Sequence, residues 1–417
     1  MKWLQRKLSK ELANIPFFIE ILSLFMLYFY CRVGVKMRQT VADDVRQSNF
    51  ELMRIVSMLL IVAYHFAYNT SLLQTTSGFI HFVILTFMYF TIIHVNSFIV
   101  LMGYFQCDKK FKINRLISMN NGGWFYKVLF LIIFLLIGIK IETLEVVQLV
   151  LPVTLFNQYW YLAIYLLLYC CSPFLNFLIN NMTKKQFHKL LLSLFLIGSI
   201  VPFFTGQLAF NNNKGFSLLT FCLLYCLGAY LKKFSIKKNY FFKVFSVNAR
   251  RLIFIFVFLL CVLLNALLHY HGEELLISEH SILKEIGRLF TSLPEYDSPI
   301  IIIQTLSYFL LFESLSLKNK FINKVASCSF GVYLIHDNIL VRRYLYRFFF
   351  IGNYSPTFIQ LFTRITLATI IVFSLCIIIE MVRKKIFSYI KSRKISKKIN
   401  NKIKEYFYSI RIDTLIE

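Results

Sequence analysis

The sequence predicts an all-α integral membrane protein, a polytopic bundle of about ten transmembrane helices with an extra hydrophobic segment at its N-terminus. Three observations carry that expectation. Of 417 residues, 58% are hydrophobic and 18% aromatic, with a mean hydropathy of +0.65. Such a chain has too little polar surface to clothe a soluble domain. The apolar residues fall in long runs without strand alternation, and hydrocarbon offers the backbone no partners, so the runs must satisfy themselves as helices. Finally, 46 Lys and Arg oppose 20 Asp and Glu, a formal net charge of +26, and the basic residues sit in short clusters between the runs.

In chain order, the expected spans are 55–73, 79–105, 124–139, 160–179, 190–204, 216–231, 252–268, 300–317, 330–346 and 358–382. Their connections alternate in charge. One set carries Lys109, Lys110, Lys112 and Arg115, then Lys184, Lys185 and Lys189, the cluster from Lys232 to Arg251, and Lys318, Lys320 and Lys324. The other set is neutral or acidic: 69–78, 142–145, and the longest loop, 269–298, with Glu273, Glu274, Glu279, Glu285, Glu295 and Asp297. Basic loops stay in the cytoplasm, so this alternation places the C-terminus there too. The cluster Arg342, Arg343 and Arg347, near the outer end of the ninth span, is the one misfit.

Residues 1–45 read as an N-terminal extension, 46–382 as the membrane domain and 383–417 as a basic cytoplasmic tail. Within the extension, the apolar stretch 21–31 is short. An interfacial helix is preferred over an eleventh span, because Lys2, Arg6, Lys7 and Lys10 argue against an external N-terminus. The topological placement of the charge also excludes nucleic acid as the partner, despite its size. The cysteines fall mostly within apolar runs and read as small packing residues rather than metal ligands.

With no soluble catalytic domain, any chemistry has to be built from intramembrane polar groups and short loops, and ionisable residues inside a span are functional candidates by default. Arg54 and His65 on the first span are eleven residues apart. At about 100° per residue they return to within about 20° of one face, about 16 Å apart along the axis. Arg54 then lies near the cytoplasmic headgroups, where it can hold a phosphorylated ligand, with Glu51 in reach as a partner. His65 lies near mid-bilayer, suited as a general base for a hydroxyl. A snorkelling Arg and a buried structural His are the equal alternative. Asn96 and Ser97 on the second span, and Trp160 opening the fourth, are candidate lining residues, with a membrane-edge anchor as the other reading of Trp160. His336 and Asp337, adjacent within the ninth span, favour a lining role.

At these residues the chain resembles the family-3 membrane acyltransferases, over roughly 46–382. The most specific element is Arg-x10-His, met by Arg54 and His65. Residues 96–105 resemble the next signature, with Met102 where Ser is usual. Residues 109–115 resemble the basic motif between the second and third helices, its arginine pair reduced to Lys112 and Arg115. Residues 159–161, 172–176, 215–230 and 330–338 are similar to segments of the capsule and exopolysaccharide branch. The resemblance implies transfer of an acyl group, usually acetyl from acetyl-CoA, to a hydroxyl of a bacterial surface or lipid-linked glycan, in the cell membrane and without a metal. His65 is then the base, and Arg54, Lys112 and Arg115 position the CoA phosphates. A glycan polymerase or lipid-linked glycan flippase is the alternative class, since likeness of fold does not settle function.

Overall fold

The computed structural model describes residues 46–70, 72–150, 159–205, 213–234, 244–291, 295–349 and 357–392, with the side chains of 213, 358 and 390–392 excepted. The predicted interfacial segment 21–31 and the end of the basic tail lie outside them. Among the described residues every regular element is helical. Among the described residues seven helices are long and apolar enough to cross a membrane. The chain is an all-α polytopic protein, as its apolar runs require.

The principal helices in order are α1 (Ser48–Asn69), α2 (Gly78–Thr91), α3 (His94–Gln106), α4 (Ile113–Leu136), α5 (Thr143–Val150) and α6 (Trp160–Asn181). Then come α7 (Lys184–Phe195), α8 (Leu218–Lys233), α9 (Val247–Leu276), α10 (Ser281–Thr291) and α11 (Pro299–Glu313). The last four are α12 (Lys320–Ala326), α13 (Ser329–His336), α14 (Ile339–Phe349) and α15 (Phe358–Ser392). All ten predicted runs are helical, but their extents differ. The first begins at Ser48 and the third at Ile113, so part of the predicted basic loop is the first turn of α4. The second run is a near-continuous 29-residue span, Gly78–Gln106, with a turn between α2 and α3.

Two runs, α8 and α11, have only 16 and 15 residues. At about 1.5 Å per residue they fall short of a hydrocarbon core of about 30 Å. Both sit inside the bundle, with Phe221, Leu223, Leu224, Tyr225, Ile301 and Phe309 buried. By contrast, the most apolar 18-residue stretch of α9 has a mean hydropathy of 2.8, yet only 33% of it is buried. Its outward Leu252, Phe256 and Leu259 are the inverse of a soluble surface and face lipid.

The predicted ninth span is not one helix. α13 ends at His336 and α14 begins at Ile339. An interrupted helix survives in a membrane only where protein satisfies its freed backbone groups. Here the Tyr159 hydroxyl donates to the Leu334 carbonyl at 2.6 Å, and Asn338 Nδ2 donates to Tyr159 at 3.1 Å. Asn338 Oδ1 accepts from the Leu340 amide at 3.1 Å. The interruption also resolves the arginine misfit: Arg342 pairs with Asp337 at 3.3 Å, and Arg343 with Glu145 of α5 at 2.8 Å. The predicted external loop 269–298 is largely helical as well. α10 packs back on α9 where Gly272 and Gly287 meet, and a Cβ at Gly287 would lie 2.8 Å from the Gly272 carbonyl oxygen.

α3 and α8 form the tightest packing. A Cβ at Gly103 would strike the Tyr225 carbonyl, and one at Gly228 the Val100 carbonyl. Small residues let backbones touch where water supplies no hydrophobic drive between helices. Two apolar cores result. One joins α3, α6, α8, α9 and α11 with Phe50 and Met53 of α1. The other joins α4, α6, α13 and α15 with Met58, Ile61, Val62 and Phe66 of α1. α1 is shared between them.

Candidate active site

A cavity of about 770 Å³ runs along α1. Arg54, Met58, Ile61, His65 and Tyr68 line it, at steps of three or four residues. That is one face of a helix, extended over about 21 Å. On the flank of that face Met53 is buried, and Ser57 bonds Ser97 at 2.8 Å and Tyr308 at 3.2 Å. Ser57 thus holds α1 against α3 and α11 and fixes the rotation that turns Arg54 and His65 inward.

One end of the cavity is basic. Arg54 Nη1 donates to Glu51 Oε1 at 2.7 Å, and its guanidinium lies 5.6 Å from the Phe105 ring centre. Arg115, in the first turn of α4, donates to Gln106 Oε1 at 3.0 Å and lies over Tyr169. Phe105 and Gln106 are neighbours at the end of α3, so both arginines belong to the same end of the cavity, and both line it. Lys112 is exposed just before α4 and is not on the wall.

The other end holds the histidines. His65 Nδ1 lies 3.2 Å from His336 Nε2 and 3.8 Å from Asp337 Oδ1. His336 Nδ1 lies 2.7 Å from the Val332 carbonyl. A carbonyl only accepts, so Nδ1 of His336 carries the proton. In neutral His336, Nε2 is then a lone pair, and it accepts from His65 Nδ1–H. Neutral His65 is left with its lone pair on Nε2, where no hydrogen bond competes among the described residues. Asp337 is close enough to stabilise the imidazolium once Nε2 takes a proton.

The interruption between α13 and α14 is what brings these groups together. His336 closes α13, and Asp337 lies in the break where Arg342, one turn into α14, can reach it. His65 lies one turn from the Asn69 end of α1, not at its middle, because the helix begins seven residues before the predicted span.

Of the sequence-predicted residues, Arg54, His65, Arg115, Trp160 and Asp337 are on the cavity wall. Three stand behind it: Glu51 holds Arg54, His336 holds His65, and Asn96 Nδ2 donates to the Tyr296 carbonyl at 2.8 Å. Lys112 is outside. Sequence reasoning missed Tyr64, His94, Tyr161, Phe216, Tyr296, Lys214 and Arg342, which also line the cavity. The arginine left a trace as a charge in the wrong place, and Tyr161 and Phe216 fall within the family-like segments 159–161 and 215–230 without standing out individually. Among the described residues no group of three or more His, Cys, Asp or Glu has metal-holding geometry.

A family model described as an acyltransferase domain matches residues 47–381, well over half of the chain. The chain belongs to the family-3 acyltransferases. No curated protein and no solved structure matches it. The family match begins one residue before α1 and ends within α15, so it takes in the wall residues of both cavity ends. The protein is therefore a multi-pass membrane acyltransferase.

Proposed function

We propose that this acyltransferase moves an acetyl group from acetyl-CoA to a sugar hydroxyl of a cell-surface or lipid-linked polysaccharide. The observation that carries the reading is the single cavity with arginines at one end and a base-bearing histidine at the other. Arg54 and Arg115 offer planar donors for the phosphates of CoA, and Lys112 adds charge at the approach. The pantetheine arm is an extended chain that can lie along the stripe Met58–Ile61 and bring the thioester to His65. His65 Nε2 takes the proton of the acceptor hydroxyl, and the oxygen attacks the thioester carbonyl carbon. The tetrahedral intermediate collapses with breakage of the C–S bond. The CoA sulfur leaves with the electron pair and recovers the proton from His65, giving the O-acetylated sugar and CoA.

The alternation of basic and acidic loops supports a cytoplasmic donor end and C-terminus, with the protein in a bacterial cell membrane. The test uses purified full-length protein, acetyl-CoA labelled in its acetyl group, and de-O-acetylated surface polysaccharide of the producing cells. Label in the glycan as a base-labile ester is the expected result. Lengthening or translocation of glycan without label would replace acyl transfer with a polymerase or flippase activity.

A further inference from the structure

His94 opens α3, is 1% exposed, and lines the cavity, yet neither of its ring nitrogens has a hydrogen-bond partner among the described residues. Buried polar atoms are nearly always matched, so an unmatched imidazole on a cavity wall points to a partner that arrives with a ligand. His94 packs edge-on to Tyr64 at 5.1 Å between ring centres, and Tyr64 lies 6.3 Å from His65 on the same measure. The two imidazoles therefore flank one tyrosine, His65 bearing the base and His94 unengaged.

The wall beside His94 is aromatic. The Tyr296 ring centre is 6.0 Å from that of His94, and Phe216 lies 5.0 Å from Tyr296 and 4.4 Å from Trp160. Four different segments supply these rings, so the sequence keeps them far apart. Asn96 fixes Tyr296 through its carbonyl, and the positive φ of Gly215 (81°) allows the turn before Phe216 to lie against Tyr296. The cations at this end are already matched, Lys214 by Glu295 at 3.4 Å and Arg342 by Asp337.

We propose that His94 and the Trp160–Phe216–Tyr296 wall form the acceptor subsite, shaped for a neutral pyranose ring. A pyranose presents C–H groups on its face and hydroxyls around its rim. The face packs on aromatic rings, and a rim hydroxyl satisfies an imidazole. His94 binds a hydroxyl neighbouring the one that His65 deprotonates, and so selects which hydroxyl reaches the base. Paired cations give no handle for an anionic sugar, and a lipid alcohol would leave His94 unmatched. The inference rests on the acyl-transfer reading and adds to it the residues that hold the acceptor and the absence of charge on the sugar they fit.

The test measures two things on purified full-length variants: binding of acetyl-CoA, and transfer kinetics with de-O-acetylated surface polysaccharide as acceptor. His94→Ala and Trp160→Ala are expected to raise the acceptor KM about tenfold, the loss of one hydrogen bond or one stacking face, with acetyl-CoA affinity unchanged. His94→Gln, which keeps a polar tip, and Trp160→Phe, which keeps a ring, are expected to stay within about threefold of wild type. Unchanged donor affinity certifies the fold of each variant. Unaltered acceptor KM in both alanine variants, with donor binding intact, would overturn the subsite. Failure of the wild-type protein to bind acetyl-CoA would instead overturn the acyl-transfer reading beneath it.

Discussion

The two ends of the cavity offer a ligand different physics. In the proposed reading, recognition at the Arg54–Arg115 end rests on charge. Arg54 is held by Glu51, but the contacts of Arg115 are neutral, to Gln106 and the Tyr169 ring, so this end keeps cationic character for an anionic ligand. At the His65–Tyr296 end each lining cation meets a carboxylate, and recognition is left to aromatic shape and imidazole nitrogens. A bisubstrate enzyme with one polyanionic and one neutral substrate needs that asymmetry, because each substrate is then rejected by the wrong end.

With this asymmetry, substitutions at the junction should stop the reaction, and those at either end should weaken one substrate only. The largest effect is expected at His65. His65→Ala removes the proton acceptor and should slow transfer by about 10² to 10⁴ in rate, with acetyl-CoA affinity near wild type. His336 acts through His65. His336→Phe removes the acceptor that fixes the His65 tautomer, and kcat should fall on the order of 10-fold to 100-fold with both KM values little changed. His336→Gln, which still offers an acceptor, should recover part of the loss. Single-turnover assays on these variants decide both points. Near-normal turnover in His65→Ala would remove it from the mechanism.

At the basic end the expected effects are smaller and confined to the donor. Arg54→Lys keeps the charge and loses the planar fork, and should weaken acetyl-CoA binding about tenfold; Arg54→Ala should weaken it further, to about 100-fold. Acceptor KM should hold in both. The Lys variant is the more telling, because Arg54→Ala also leaves the buried carboxylate of Glu51 without its partner, although that carboxylate sits in the first turn of α1 where the helix dipole favours it. Equal donor affinity in both variants would make Arg54 a structural partner of Glu51 and move phosphate recognition to Arg115.

What could be read in the sequence was what one helix encodes by itself. Arg54 and His65 share a face because eleven residues are close to three turns, and the same arithmetic places Met58, Ile61 and Tyr68 beside them. Contacts between distant segments were not legible. His65 and His336 each stood out as ionisable groups in apolar runs, but their pairing spans 271 residues. The break after His336 falls on the polar triplet His336, Asp337 and Asn338, which reads as lining within one span because the groups that satisfy the break include Tyr159, far upstream. His94 is an ionisable residue inside the second predicted span, but what sets it apart is the absence of a partner, which only the packed structure reveals. Within the basic motif Arg115 turns into the cavity because α4 begins at Ile113, whereas Lys112, just before the helix, is exposed and off the wall.

The most direct test of the two-ended cavity separates its substrates across a membrane. Full-length protein is reconstituted into sealed proteoliposomes sorted by orientation. Labelled acetyl-CoA is confined to one side and de-O-acetylated surface polysaccharide to the other. Labelled glycan is expected when acetyl-CoA meets the face that carries Lys184 and Lys185 and the glycan meets the face that carries Glu279, and not in the reverse arrangement. Product formed equally in both arrangements, or only in the reverse one, would contradict a donor end and an acceptor end that meet at His65.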